Sequence, residues 1–200
     1  MTPQYSELQL DALRELANIA SGGAATSLSQ MLGQEVELNV PRALALPLAD
    51  AVDAAGAADE IVTGIALGLE GDIAGLVLLL VPTKDAKTLC NLLGVEPGTE
   101  VGDSALGEIG NILGTSYLNA LSMMTGLTLE PTPPHVVTDL LGAIVASLLA
   151  QTAGESDLAL VLDSELDLAE QPCSLSFMLL PASGRADVLL APLGLADAGV

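Results

Sequence analysis

Aromatic side chains are nearly absent from this chain of 200 residues: Tyr5, Tyr117 and Phe177 are the whole complement, and there is no tryptophan. Stacking platforms for bases cannot be built from so few rings, which argues against a single-stranded nucleic-acid binder. Cations are scarce as well. Arg14, Arg42, Lys84, Lys87 and Arg185 stand against 26 acidic residues, for a net charge of −21. Phosphate backbones and anionic lipid surfaces are recognised by clustered Lys and Arg, so neither nucleic acid nor a membrane is expected as a partner. The one histidine, His135, follows a proline-rich turn with no cysteine near it, which excludes a Ser-His or Cys-His nucleophile. Two cysteines, Cys90 and Cys173, make no disulfide framework; each lies in or beside an apolar stretch and reads as a buried free thiol. Ser21-Gly22-Gly23 neither follows a strand nor leads to a lysine, so it is no phosphate cradle.

The N-terminal residues lack the charged and apolar regions of a signal peptide. The most apolar window, Ile61 to Val81, is interrupted by Glu70-Gly71-Asp72, and two short apolar runs around such a turn read as a β-hairpin, not a membrane span. A cytoplasmic chain is expected. Half of the residues are hydrophobic, so it folds, with a core of Leu, Val, Ile, Ala and Met. The length suits a single domain, 1–200, or two intimately packed halves. The acidic excess suits a very soluble protein, or one adapted to salt that screens self-repulsion.

The elements follow from periodicity. Residues 6–32 read as helix, capped by Ser6 and closed by Gly33, with a break after Asn18 where Gly22-Gly23 weaken it. A short strand, 35–40, is ended by Pro41; residues 43–58 read as short helix and loop. A hairpin of 60–69 with 72–81 and a helix over 84–93 complete the first half. The second half replays the order. A helix opens at Asp103 or Ser104 and stops at Gly126; a strand over 127–130 is ended by Pro131, Pro133 and Pro134. Then come a helix-like piece at 138–150, strands at 157–166 and 173–181, and a weak helix at 185–191.

At one constant offset Glu15 matches Glu108, Asn18 matches Asn111, Gly33 matches Gly126, Glu37 matches Glu130 and Pro41 matches Pro134. Such matches of polar and glycine residues in one frame read as an internal duplication, with repeats of about 6–95 and 101–195. The expected fold is α+β: a β-sheet of two hairpins and short strands, packed with two long helices in pseudo-twofold relation.

Those two helices carry the same polar pattern, a short polar residue, a Glu and an Asn, as Asp11-x₃-Glu15-x₂-Asn18 and Ser104-x₃-Glu108-x₂-Asn111. Spacings of four and seven place each triplet in a stripe roughly 60° wide on one helix face. A single such stripe is ordinarily solvated surface, but two copies in one register, with Asn in mid-helix against its propensity, ask for another cause. One carboxylate and one amide per helix would hold a divalent ion only loosely. An amide can instead position a water, with its carbonyl accepting a water proton, while a partner supplies the phosphoryl group and the metal.

With these residues in view, the chain resembles the CheC family of CheY-P phosphatases, which includes CheC, CheX and FliY. The stretches around each Asn, Leu-Ala-Asn-Ile-Ala-Ser-Gly-Gly-Ala-Ala-Thr-Ser-Leu-Ser and Glu-Ile-Gly-Asn-Ile-Leu-Gly-Thr-Ser-Tyr-Leu-Asn-Ala-Leu, carry the resemblance. Two motif copies favour the CheC branch over CheX, which has one. The resemblance implies a protein-aspartyl-phosphate phosphatase of chemotaxis, acting on phosphorylated CheY. It implies that Asn18 and Asn111 orient the attacking water and that Glu15 and Glu108 pair with the regulator's lysine. Asp11 and Ser104 make supporting partner contacts at the rim. Mg²⁺ would arrive bound to CheY, so no cofactor of the chain's own is expected. The resemblance also implies a second partner, the receptor deamidase CheD, and hence an alternative reading as a CheD-binding module with little phosphatase activity. A monomer is expected, because the repeat can pair its own strands.

Overall fold

The first helix forms where its apolar residues recur at spacings of three and four. In α1 (Glu7–Leu32) Leu13, Ala17, Ala20, Ala24, Leu28 and Leu32 are all buried, and Leu10 packs against them. The computed structural model describes residues 7–151, 158–168, 172–182 and 188–189, so the Ser6 cap and most of the helix expected at 185–191 lie outside the described residues. The break expected after Asn18 does not occur; α1 runs through Gly22-Gly23 unbroken. Both glycines are exposed with open space around them, and the buried stripe on the other side of the helix holds it together across them. Gly33, at φ 67°, then closes it.

The strand that follows is longer than expected. β1 (Glu37–Pro47) continues past Pro41, and α2 (Leu48–Ala55) takes only the rest of the segment read as helix and loop. Proline passes here because β1 is an edge strand with a bulge: its register against β6 (Leu158–Asp167) shifts between Asn39 and Arg42. The expected hairpin is present as β2 (Ile61–Gly71) and β3 (Gly75–Pro82), followed by α3 (Thr83–Leu92). The second long helix, α4 (Glu100–Thr125), starts a turn before Asp103. Its cap is Thr99, whose Oγ1 accepts from the Gly102 N–H at 3.2 Å and donates to the Glu96 carbonyl at 2.7 Å.

Beyond Gly126 the chain departs from expectation again. β4 (Leu129–Pro131) is short, but the chain resumes as a strand after the prolines, β5 (His135–Leu140), and α5 (Leu141–Gln151) begins only then. β4 and β5 pair with different stretches of β2, and Thr132 bridges the gap. Its N–H donates to the Gly68 carbonyl at 2.8 Å and its Oγ1 accepts from the Gly68 N–H at 2.9 Å. With β7 (Cys173–Pro181) hairpinned to β6, the described strands form one antiparallel sheet in the order β1-β6-β7-β3-β2-β4, with β5 also on β2.

Helices cover both faces of this sheet, which explains the continuous apolar runs of the central strands. On β3, Val77, Leu79 and Val81 enter the core shared with α1, α3 and α4, while Leu78 and Leu80 enter a second core with Leu141, Ile144 and Val145 of α5. Tyr117 and Phe177 meet in the first core with ring centroids 4.8 Å apart, and the Tyr117 hydroxyl shares a 2.9 Å hydrogen bond with Ser164 Oγ. Burial pushes the Tyr117 phenol up to about 12. Neither Cys90 nor Cys173 is in a disulfide, and both are buried, as expected. Among the described residues no helix is long and apolar enough to cross a membrane.

Glycine has opposite meanings on the two long helices. At Gly110 a Cβ would stand 2.5 Å from Ile65 Cγ2, so α4 lies on β2 at a separation only glycine permits. Gly110→Ala should therefore cost on the order of 1–3 kcal/mol through overpacking. Gly22→Ala, on an open helix surface, should instead gain about 0.5–1 kcal/mol. Urea unfolding of the two variants checks this; equal signs would contradict the packing described.

Candidate functional site

The buried stripes of α1 and α4 fix what their other faces show. With Leu13 and Ala17 turned inward, Asp11, Glu15 and Asn18 are exposed. With Leu106, Ile109 and Leu113 turned inward, Ser104 and Glu108 are exposed and Asn111 is half-buried. Each triplet is thus gathered on one helix face, as its spacing requires. Among the described residues no hydrogen bond or ion pair joins one triplet to the other, and neither Glu15 nor Glu108 has a polar partner.

The triplets differ in what holds them. Asp11 Oδ1 accepts from Arg14 Nη2 at 2.8 Å, an ion pair one turn apart with both side chains about half exposed, so its worth to stability is small. Asn18 Oδ1 accepts from the Val40 backbone N–H at 3.0 Å. Val40 sits in the β1 bulge, outside the ladder register with β6, and its side chain is buried. A backbone donor displaced from its ladder needs an acceptor, and Asn18 supplies it. That contact gives a mid-helix Asn a structural reason to be there. On α4, by contrast, the Asn111 amide has no hydrogen-bond partner among the described residues.

Sequence reasoning did not find Arg14 or Val40. Arg14 follows from spacing alone, since i and i+3 meet on a helix. Val40 acts through its backbone, which no side-chain pattern reveals. The signal available was a mismatch beside a match: Pro41 corresponds to Pro134, but Val40 corresponds to Pro133. The segment holding Pro133 crosses α4 close to the second triplet, for a Cβ at Gly107 would stand 3.5 Å from Pro134 Cγ and 3.3 Å from Val136 Cγ2.

Chemically, each face offers a carboxylate and an amide to something outside the molecule. Among the described residues no three of His, Cys, Asp or Glu stand together as a metal site. One carboxylate and one amide would hold a divalent ion only loosely, and the same two groups can meet a cation or accept from a water.

Comparison with known proteins places both triplets in recognised segments. The model of the CheC-like family matches residues 8–44 and 101–138. The chain is 33% identical to the CheY-P phosphatase CheC of Bacillus subtilis over 94% of its own length and 95% of that protein. FliY of Thermotoga maritima has a similar fold, at a TM-score of 0.73 and 21% identity over 94% of this chain and 96% of that one. The FliM middle domain of H. pylori is also similar in fold, at a TM-score of 0.66 and 10% identity over 92% and 98%.

The two asparagines should differ in their effect on stability. Asn18→Ala leaves the Val40 N–H without its acceptor and should cost about 1–3 kcal/mol. Asn111→Ala removes no hydrogen bond among the described residues and should change stability by less than about 0.5 kcal/mol. Urea midpoints of the two variants measure this, and equal losses would contradict a structural role confined to Asn18.

Proposed function

The chain belongs to the CheC family, and on that premise we propose that it is a chemotaxis phosphatase that hydrolyses the aspartyl phosphate of phosphorylated CheY. The observation that carries this reading is the outward display of a Glu-Asn pair on each long helix, with the opposite face of each helix locked in the core. The Asn enters the regulator's site and orients a water: a water O–H donates to the amide carbonyl, which leaves an oxygen lone pair aimed at phosphorus. The water oxygen bonds to phosphorus as the bond from phosphorus to the aspartyl oxygen breaks. The aspartate leaves as carboxylate, and the water proton stays with the phosphate or passes to solvent. The amide takes no proton; its part is orientation. Glu15 and Glu108 pair with the regulator's lysine, and Asp11 and Ser104 support the docked partner at the rim. Mg²⁺ belongs to the phosphorylated substrate and is brought by it.

A net charge of −21 opposes the approach of a phosphorylated partner, and salt screens that repulsion over distances of about 10 Å at 0.1 M. The decay of phosphorylated CheY with Mg²⁺ should therefore be followed at low and high salt, with and without this protein. The expected result is acceleration beyond the regulator's own decay, lost by on the order of 100-fold in the double variant Asn18→Ala/Asn111→Ala. Acceleration that survives in the double variant would overturn water positioning. No acceleration at any salt would overturn the enzyme and leave the CheD-binding module as the reading to pursue.

A further inference from the structure

The two Glu-Asn faces match in sequence but not in what holds their amides. An asparagine side chain has an accepting end and a donating end, and whichever neighbour it meets decides which end faces out. At the first face the neighbour is a donor: the Val40 N–H, 3.0 Å from Asn18 Oδ1. Turning this amide over would set its NH₂ against that N–H, donor against donor, and leave a partly buried backbone group unsatisfied. Asn18 therefore holds its carbonyl toward the β1 bulge and its NH₂ toward solvent. An NH₂ donating to a water occupies one of its two lone pairs and draws electron density from the oxygen that must attack, whereas a carbonyl accepting from the water leaves both lone pairs free.

At the second face the donor is missing. Pro133 stands 22 residues beyond Asn111, as Val40 does beyond Asn18, and proline has no N–H. The Asn111 amide has no hydrogen-bond partner among the described residues and can present either end. The companion contacts differ in the same sense. Asp11 is held by Arg14 at 2.8 Å, while the residue corresponding to Arg14 is Gly107, buried under Pro134 and Val136, so no cation stands at that position three residues on from Ser104.

We propose that the α4 face carries most of the hydrolysis, and that Pro133 is its positioning residue, keeping a backbone donor away from Asn111 so that the amide carbonyl can face the water. The α1 face docks the same partner with its amide reversed and contributes less to turnover. This inference rests on the phosphatase reading and is separable from it by experiment.

The test is steady-state hydrolysis of phosphorylated CheY with Mg²⁺ by the full chain, for Asn18→Ala, Asn111→Ala, Pro133→Ala and the pair Val40→Pro/Asn111→Ala, each checked for folding by circular dichroism. The loss of kcat at Asn111 should exceed that at Asn18 by about tenfold or more. Pro133→Ala restores a backbone donor on an exposed loop and should lower kcat several-fold with KM unchanged, which a purely structural role would not do. Val40→Pro should raise the rate of the Asn111→Ala protein by releasing the Asn18 amide. If that variant does not fold, Pro133→Ala decides. Equal losses at Asn18 and Asn111, or an unchanged kcat in Pro133→Ala, would overturn the inference while leaving the phosphatase standing. Absence of hydrolysis by the unsubstituted chain would instead overturn the reading on which it rests.

Discussion

The seating of α4 on the sheet is the constraint on which the rest of the molecule depends. Gly107, Gly110 and Gly114 line the buried side of this helix, and at Gly110 the space left for a side chain is already filled by Ile65 of β2. So close an approach brings Leu106, Ile109, Leu113, Tyr117 and Leu121 to full burial over the sheet. It also settles the outer face. Once Ile109 and Leu113 point at the sheet, a residue at position 108 or 111 has no freedom to turn inward, and the Glu-Asn stripe is fixed by packing on the far side of the helix. α1 reaches the same result with alanines in place of glycines, through Ala17, Ala20 and Ala24.

A sheet covered on both faces has its own consequences for polar groups. Its interior leaves little water to satisfy a stray backbone donor, so irregularities are confined to the edges, and both edges carry one. The β1 edge bends at Val40-Pro41, and the β4-β5 edge is interrupted at Thr132–Pro134. Each irregularity lies beside a long helix, but they are satisfied differently. At β1 a helix side chain, Asn18, accepts the displaced N–H. At the other edge Thr132 closes the gap to Gly68 within the sheet, and the prolines remove donors that would otherwise need partners.

How much of this could be read from the chain depended on whether a side chain or a backbone carried the information. The long helices, the apolar hairpin and the thiols were legible because burial writes a period into the sequence, as Leu13-Ala17-Ala20-Ala24 does for α1. The grouping of Glu15 with Asn18, and of Glu108 with Asn111, was legible for the same reason. Pro41 misled, because proline ordinarily ends a strand; an edge position and a bulge let β1 continue to Pro47, and neither is encoded locally. The helix-like piece beginning at 138 misled because His135–Leu140 pairs with β2 through long-range contacts that outweigh its local pattern. Gly22-Gly23 misled because tertiary packing of the opposite face overrides a propensity deficit of about 1 kcal/mol per glycine.

The same distinction bears on what a motif can mean. Glu and Asn at fixed spacing specify which groups face outward, but an amide is a donor at one end and an acceptor at the other, and spacing says nothing about which end is shown. At the α1 face the Val40 N–H makes that choice for Asn18, while the residue at the same spacing beyond Asn111, Pro133, has no N–H to offer. Two copies of one motif can therefore share a Glu-Asn pair and still differ in which end of the amide is free to face outward. Such a difference costs the fold nothing, since Asn18 repays its orientation by satisfying the bulge. It leaves the α1 face anchored and the α4 face adaptable, a division that two identical faces could not provide.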